Sequence, residues 1–391
     1  MPFEPGVHSG GSGGGLRVQS GLQRATQEGV GWMDANVSDG VRQSASRCYL
    51  LPALSRTNLT VVSNSIVSRI ILQDKRAVGV EYIDSNNENH IVKATKEVLL
   101  CGGAYNSPQI LMLSGFGDPA TLQKLGIEPL HELLGVGRNL QDHLNLDLIT
   151  GVRRPEHSFQ PNNWRNDWTD RMRAQWEYEK AGWGSTNQNE ACFFFKTNER
   201  QTTANMECVI APMYLAVQPD ESFHYNPGFT TKFIQERPTS RGRLTLRSQF
   251  PADDPIIENN FLSDSTEIRE FVDSINIMSK LLLQPALAEL IGEELSPGPQ
   301  VTSDEALEKY VRAASSSCFH PCGTCRMGDP DAAPTPEAAR QLVVDTELRV
   351  CGLSGLRVVD ASVMPSITSG NIHAPTLMIA ERAADFIASS L

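Results

Sequence analysis

The stretch "EVLLCGGAYNSPQILMLSG", residues 97–115, constrains the fold more than any other part of this chain. Val98–Leu100 reads as a short buried strand that runs into Gly102-Gly103-Ala104, and an apolar helical repeat follows as far as Gly115. Ser107-Pro108 offers an N-cap and a first-turn proline, so the helix is expected to open there. Strand, glycine turn and helix start in series bring backbone N–H groups close to a phosphate or a ring edge. Packing glycines give the same pattern, so the stretch alone does not name a ligand.

Upstream, apolar runs at Thr60–Val62, Val67–Leu72 and Ala77–Ile83 are separated by Asp-Lys and Ser-Asn-Asn-Glu-Asn turn signals, which predicts an antiparallel meander leading into the buried strand. From about Leu146 to Met327 aromatic residues concentrate, and "RGRLTLRSQFPADDPIIENNFL" alternates like an antiparallel strand ending in a turn. A sheet-based domain is placed here. Helical spacing marks residues 265–291 and 303–314. The tail predicts a buried strand at Leu356–Val359, an acidic residue at its end, and a helix from about Pro375 onward.

The chain has 391 residues, 40% of them hydrophobic and 20% charged, which suits one large composite fold or two domains. A net charge of −12 argues against nucleic acid as the main partner, because phosphate binding requires a basic surface. No apolar run approaches the roughly 18 residues of a membrane span. The opening "MPFEPGVHSGGSGGG" is Gly/Ser-rich and carries no readable targeting peptide. Eight sparse cysteines favour a reducing compartment, cytoplasmic, or mitochondrial if a targeting segment has been lost.

Near the C-terminus, "FHPCGTCRMG" (319–328) sets His320 beside a proline and a Gly-Thr turn between Cys322 and Cys325. With Cys318 these residues form a possible zinc set, but no second Cys-x-x-Cys or His-x-x-x-His completes it, and no metal is assigned. Neutral imidazole near pH 7 suits removal of a hydroxyl proton.

"CGGAYNSPQILMLSGFG" (101–117), "GVGRNLQDH" (135–143), "HPCGTCRMG" (320–328) and "LRVVDASVMPSITSGNIHAPTLMIAERAADFI" (356–387) together resemble the glucose–methanol–choline (GMC) oxidoreductases, choline-dehydrogenase-like branch. "QEGVGWMD", "SASRCYLLPALSRTNLTV" and "RAVGVEY" are similar to that branch too, so the resemblance covers nearly the whole chain from about Gly13. It implies a mixed α/β (α+β) fold with a partial FAD-binding domain at 1–145 and 336–391, enclosing a substrate domain with an antiparallel sheet at 146–335. It also implies a flavoprotein that oxidises a small-molecule alcohol by hydride transfer to FAD, dehydrogenase favoured over oxidase, with an electron acceptor that these residues do not identify.

Carried over residue by residue, the resemblance makes His320 the principal base and His373 its partner at the alkoxide. Val67, Asp360, Ala361, Pro375 and Thr376 become cofactor contacts. Glu190 and Trp183 become the anion and aromatic face for a substrate such as choline. Histidine at 373, where the choline branch usually carries asparagine, looks more like glucose- and aryl-alcohol-oxidising relatives. Asp142 and His143 read as structural, bridging the domains. The family's Gly-x-Gly-x-x-Gly phosphate fingerprint is absent, so the chain is expected to be the C-terminal two-thirds of such an enzyme. The alternative is a truncated non-catalytic remnant unable to bind FAD by itself.

Overall fold

The computed structural model describes residues 27–154, 158, 170–189, 191–217 and 223–390. In chain order the longer elements begin with strands β1 (Gly29–Trp32), β2 (Ile66–Gln73), β3 (Arg76–Ile83), β4 (Asn89–Lys93) and β5 (Val98–Leu100), then helix α1 (Gly103–Leu113). Strands β6 (Leu144–Val152), β7 (Ala191–Phe195), β8 (Met206–Ala211) and β9 (Phe229–Gln235) follow. Helix α2 (Ser265–Leu282), strand β10 (Ile291–Ser296), helix α3 (Asp304–Ala314), strand β11 (Leu356–Val358) and helix α4 (His373–Ser390) complete the set. The result is a mixed α/β protein that divides into two compact units.

The first unit takes residues 27–56, 145–236 and 268–316. Its sheet has the order β1-β7-β8-β9-β6-β10, with every neighbouring pair antiparallel. Helix α2 forms because Ile268, Phe271, Val272, Ile275 and Met278 recur at helical spacing, and all five are buried. The apolar spacing runs on to residue 291, yet α2 stops at Leu282. Gln284 is extended ahead of Pro285, which resists the α conformation in the residue before it. Helix α3 opens where expected, because the Ser303 hydroxyl accepts a hydrogen bond from the Ala306 N–H and Asp304 and Glu305 occupy the first turn.

One rung of this sheet carries an unusual group. Gly29, Phe194, Glu207, Ile234 and Asn145 are successive register partners, so Glu207 stands between Phe194 and Ile234 and is 2% exposed. Burial pushes its carboxyl up to about 7, and the neighbouring Glu236 carboxyl works the other way. A folded-state value above the ordinary 4.5 means that the native protein holds this proton longer than the unfolded chain. The associated stability is therefore complete below about pH 4.5 and is lost as pH rises through about 7. Glu207→Gln should remove this dependence, gaining on the parent by on the order of 3 kcal/mol between pH 4.5 and 8. Urea unfolding of both proteins across that range measures it, and a constant difference would refute the assignment.

The second unit takes residues 57–144, 237–267 and 317–390. Strands β2, β3 and β4 form an antiparallel meander, of which β2 and β3 are the expected strands and β4 is not. Thr60–Val62, expected as a further strand, is not one. The register pairs Ile66 with Ile83, the last residue of β3, so residues before 66 lie past the end of the partner strand, and Val61 and Val62 are exposed. Strands β5 and β11 pair in parallel, Val98–Leu100 against Leu356–Val358, across more than 250 residues of chain. Leu100, Leu111, Phe116, Val343, Val358, Val363 and Ile379 belong to one continuous buried cluster of this unit.

Helix α1 begins at Gly103, not at Ser107, and Pro108 lies inside it. A proline there deprives the carbonyl four residues back of its helical donor. That carbonyl, of Ala104, accepts instead from the Thr324 hydroxyl at 2.6 Å. Ser107, free of the cap role, accepts from the Gly102 N–H at 2.9 Å and donates to Asp360. Proline is tolerated because a turn 220 residues away supplies the missing donor.

Candidate functional site

The site is assembled in the second unit around "NLQDH" (139–143). Gln141 exchanges backbone hydrogen bonds with Cys322, at 2.8 and 3.0 Å. Its side-chain amide donates to the Pro365 carbonyl at 3.3 Å, and its side-chain oxygen accepts from the Ile367 N–H at 3.2 Å. Asn139, in the left-handed region at φ 60°, donates to the carbonyls of Gly323 and Pro365. The loop carrying His320 and the loop that leads towards His373 are thus both tied to this one segment.

Asp142 and His143 then set His320. One oxygen of the buried Asp142 carboxylate accepts from the His320 N–H at 2.9 Å, and the other accepts from the Ser317 hydroxyl. Burial raises the Asp142 carboxyl, and the Ser317, His320 and His143 hydrogen bonds oppose that rise. The His143 carbonyl accepts from the Cys318 N–H at 2.8 Å. The two imidazoles meet Nδ1 to Nδ1 at 2.9 Å, with ring centroids 5.1 Å apart and planes at 85°. His143 is fully buried, whereas His320 is half-buried. Burial lowers the His320 pKa below the ordinary imidazole value, which keeps the ring neutral at pH 7. With Nδ1 engaged, Nε2 is the nitrogen of His320 that remains to receive a proton.

The cysteines of the turn lie beneath it. Cys322 and Cys325 are fully buried in the apolar cluster, and burial pushes both thiols up, that of Cys322 to about 12. Such thiols are not nucleophiles. Backbone N–H groups of Gly323, Cys325 and Met327 donate to the carbonyls of Ala361, Ser362 and Val363 in turn, so the loop is tied to the short 3-10 turn that follows β11. Among the described residues the ligand atoms of Cys318, His320, Cys322 and Cys325 do not gather within metal-binding reach. The one set that does is Asp84, Glu88 and His90, in a turn where Asp84 accepts from the backbone N–H groups of Asn86 and Glu88.

Asp360, at the end of β11, is buried and fully engaged by the protein. It accepts from the Gly103 N–H at 2.9 Å, from Ser107 at 2.5 Å and from the Ser362 N–H at 2.8 Å, and so pins the start of α1 to the end of β11. Ala361 is buried. His373 is exposed at the first position of α4; Pro375 and Thr376 follow, half-buried, with Thr376 bonded back to the Ile372 carbonyl. Val67 is half-buried in β2, an outer strand of the meander, opposite Tyr82 on the central strand. Trp183 belongs to the first unit, in the turn Gly182–Ser185. Glu190 lies outside the described residues.

Asp142 and His143, expected to bridge the domains, both lie in one unit, directly on the His320 loop. Their signal was a carboxylate and an imidazole standing immediately before a buried run, Leu144–Leu146, where titratable side chains need partners.

Two family models described as GMC oxidoreductase match the chain, one over residues 4–145 and the other over residues 238–380. The human mitochondrial choline dehydrogenase (Homo sapiens) is 41% identical over 377 residues, covering 92% of this chain and 59% of the relative. An oxygen-dependent choline dehydrogenase of Chromohalobacter salexigens is 40% identical over 362 residues, covering 92% of this chain and 62% of the relative. The chain thus spans about three-fifths of the length of these curated relatives. Among solved structures, a pyridoxine 4-oxidase from Mesorbium loti superposes with a TM-score of 0.79 at 27% identity, covering 95% of this chain and 66% of that one. The chain belongs to the GMC oxidoreductase family.

Proposed function

We propose that this chain carries the base and part of the cofactor site of an FAD-dependent oxidation of a primary alcohol, choline or a related alcohol, to the aldehyde. The observation that carries the reading is the His320 imidazole, neutral by burial, fixed at Nδ1 by His143 and at its backbone by Asp142. Loss of a C–H hydride from an alcohol requires loss of the hydroxyl proton, and Nε2 of His320 is the acceptor assigned to it. His373 is assigned to hydrogen-bond the alkoxide oxygen. Glu190 is assigned as the anion for a cationic alcohol.

The residues present fit the flavin end of FAD. At Gly103 the backbone is left-handed, φ +79°, and an added Cβ would meet nothing within 4 Å, so the chain there faces open space at the start of a helix. Val67, Ala361, Pro375 and Thr376 would hold the cofactor; Asp360 would act through the α1 start that it fixes, since its oxygens already serve Gly103, Ser107 and Ser362. The sequence contains no Gly-x-Gly-x-x-Gly, and the diphosphate is assigned to no residue of this chain. FAD, when bound, supplies the two-electron acceptor. The test is spectroscopic: protein incubated with FAD and desalted should retain visible absorbance that a primary alcohol bleaches without oxygen. A colourless protein unaffected by FAD would favour the non-catalytic alternative.

A further inference from the structure

We infer that the first unit holds a second small-molecule site, for a neutral and largely apolar ligand, in a cavity of about 520 Å³ beside Trp183. This volume lies within the range that encloses drug-sized molecules, roughly 300–1,000 Å³. Every described lining residue belongs to that unit, so the inference stands apart from the His320 assignment.

The register of the sheet builds the floor. Trp32 pairs with Ala191, Ala191 with Ile210, and Ile210 with Thr231, so the four side chains stand on one face of β1, β7, β8 and β9 in a single row. At about 4.8 Å between strands that row is roughly 14 Å long, a trough for an elongated molecule. Ala191 makes its depth: Phe193 and Phe195, the next residues of β7 on that face, are large where Ala191 is small. Met278, Leu281 and Leu282 from the last turns of α2 line the cavity, with Leu287 and Leu290 beyond Pro285. The helix break at Leu282 is what presents these leucines side by side.

Chemistry selects the ligand class. Among the described lining residues there is no charged side chain, so a permanent cation or a carboxylate entering here would lose hydration without a counter-charge. Thr231, 2% exposed, places a hydroxyl in the floor, while the hydroxyls of Ser185 and Thr186 donate to the carbonyls of Gly182 and Trp183. A hydroxyl both donates and accepts, so one donor or acceptor on the ligand can pair with it. The site therefore fits a neutral molecule with an apolar body and one hydroxyl or carbonyl group.

The experiment is calorimetric titration of the full chain with 1-decanol, decanoate and decyltrimethylammonium, with tryptophan fluorescence followed in parallel. Decanol should bind saturably at one equivalent and change the fluorescence, and the two ions should bind at least about tenfold more weakly, in keeping with an uncompensated charge. Absence of saturable decanol binding, or equal binding of all three, would overturn the proposal. Ala191→Phe should fill the trough and abolish decanol binding while circular dichroism stays unchanged; a folded variant that binds as the parent does would also overturn it. Thr231→Val keeps the shape and removes the hydroxyl, so it remains readable if Ala191→Phe does not fold. About three- to tenfold weaker decanol binding is expected from the loss of one hydrogen bond, and undiminished binding would remove the polar point on which the ligand class rests.

Discussion

His320→Ala is expected to lower alcohol turnover by about 10²–10⁴-fold in flavin-loaded protein, leaving flavin content unchanged. The magnitude follows from the role: a positioned base contributes its acceleration only in the transition state, so its loss lowers the rate constant without loosening the cofactor. The pH profile carries a second signature. Because burial lowers the His320 pKa, the base form persists below the ordinary 6.5, and the acidic limb of the rate should fall at a pH lower than that of a free imidazole. His143→Phe keeps a ring in the buried position but removes the Nδ1 partner, so it should cost less than His320→Ala. Unchanged turnover in His320→Ala would end the base assignment.

Glu97→Ala is expected to cost the fold about 3–5 kcal/mol. Arg357, in the middle of β11, is 2% exposed; its Nε and Nη2 donate to the Glu97 carboxylate at 2.8 and 3.3 Å, and Nη1 donates to the Glu347 carbonyl. Removal of Glu97 takes the carboxylate away from a guanidinium held in the core, and breaking a buried ion pair from one side costs more than the pair was stabilising. Glu97→Ala combined with Arg357→Met should therefore recover most of the loss, since an apolar side chain there needs no partner. Chemical unfolding of the parent, both single variants and the double variant measures the coupling. A Glu97→Ala protein as stable as its parent would show that the ion pair does not hold β11. The effect bears on the site as well, because Asp360 stands two residues beyond β11 and fixes the start of α1.

Short-range pattern made several features readable in advance. Three apolar residues before a glycine pair marked β5, apolar runs between turn signals marked β2 and β3, and the stripe from Ile268 to Met278 marked α2, because each is a property of neighbouring residues. His320 stood out for its setting in a proline and Gly-Thr turn. The start of α1 was misplaced for the same reason that these succeeded. Local preference puts Pro108 in a first turn, and only a hydroxyl 220 residues away makes an interior position tolerable.

The acidic balance of the chain, its helical and strand periodicities, the motifs that place it among GMC oxidoreductases, and His320 as a candidate base are all legible in the order of the residues. Tertiary structure alone decided that His143 meets His320 at Nδ1, that Gln141 ties two distant loops, that Glu207 is enclosed between Phe194 and Ile234, and that Ala191 opens a trough. The reason is physical. Periodicity reports which face of an element is apolar, whereas the partner of a buried polar group and the depth of a cavity depend on register between segments far apart in the chain, and register is fixed only when the whole core packs.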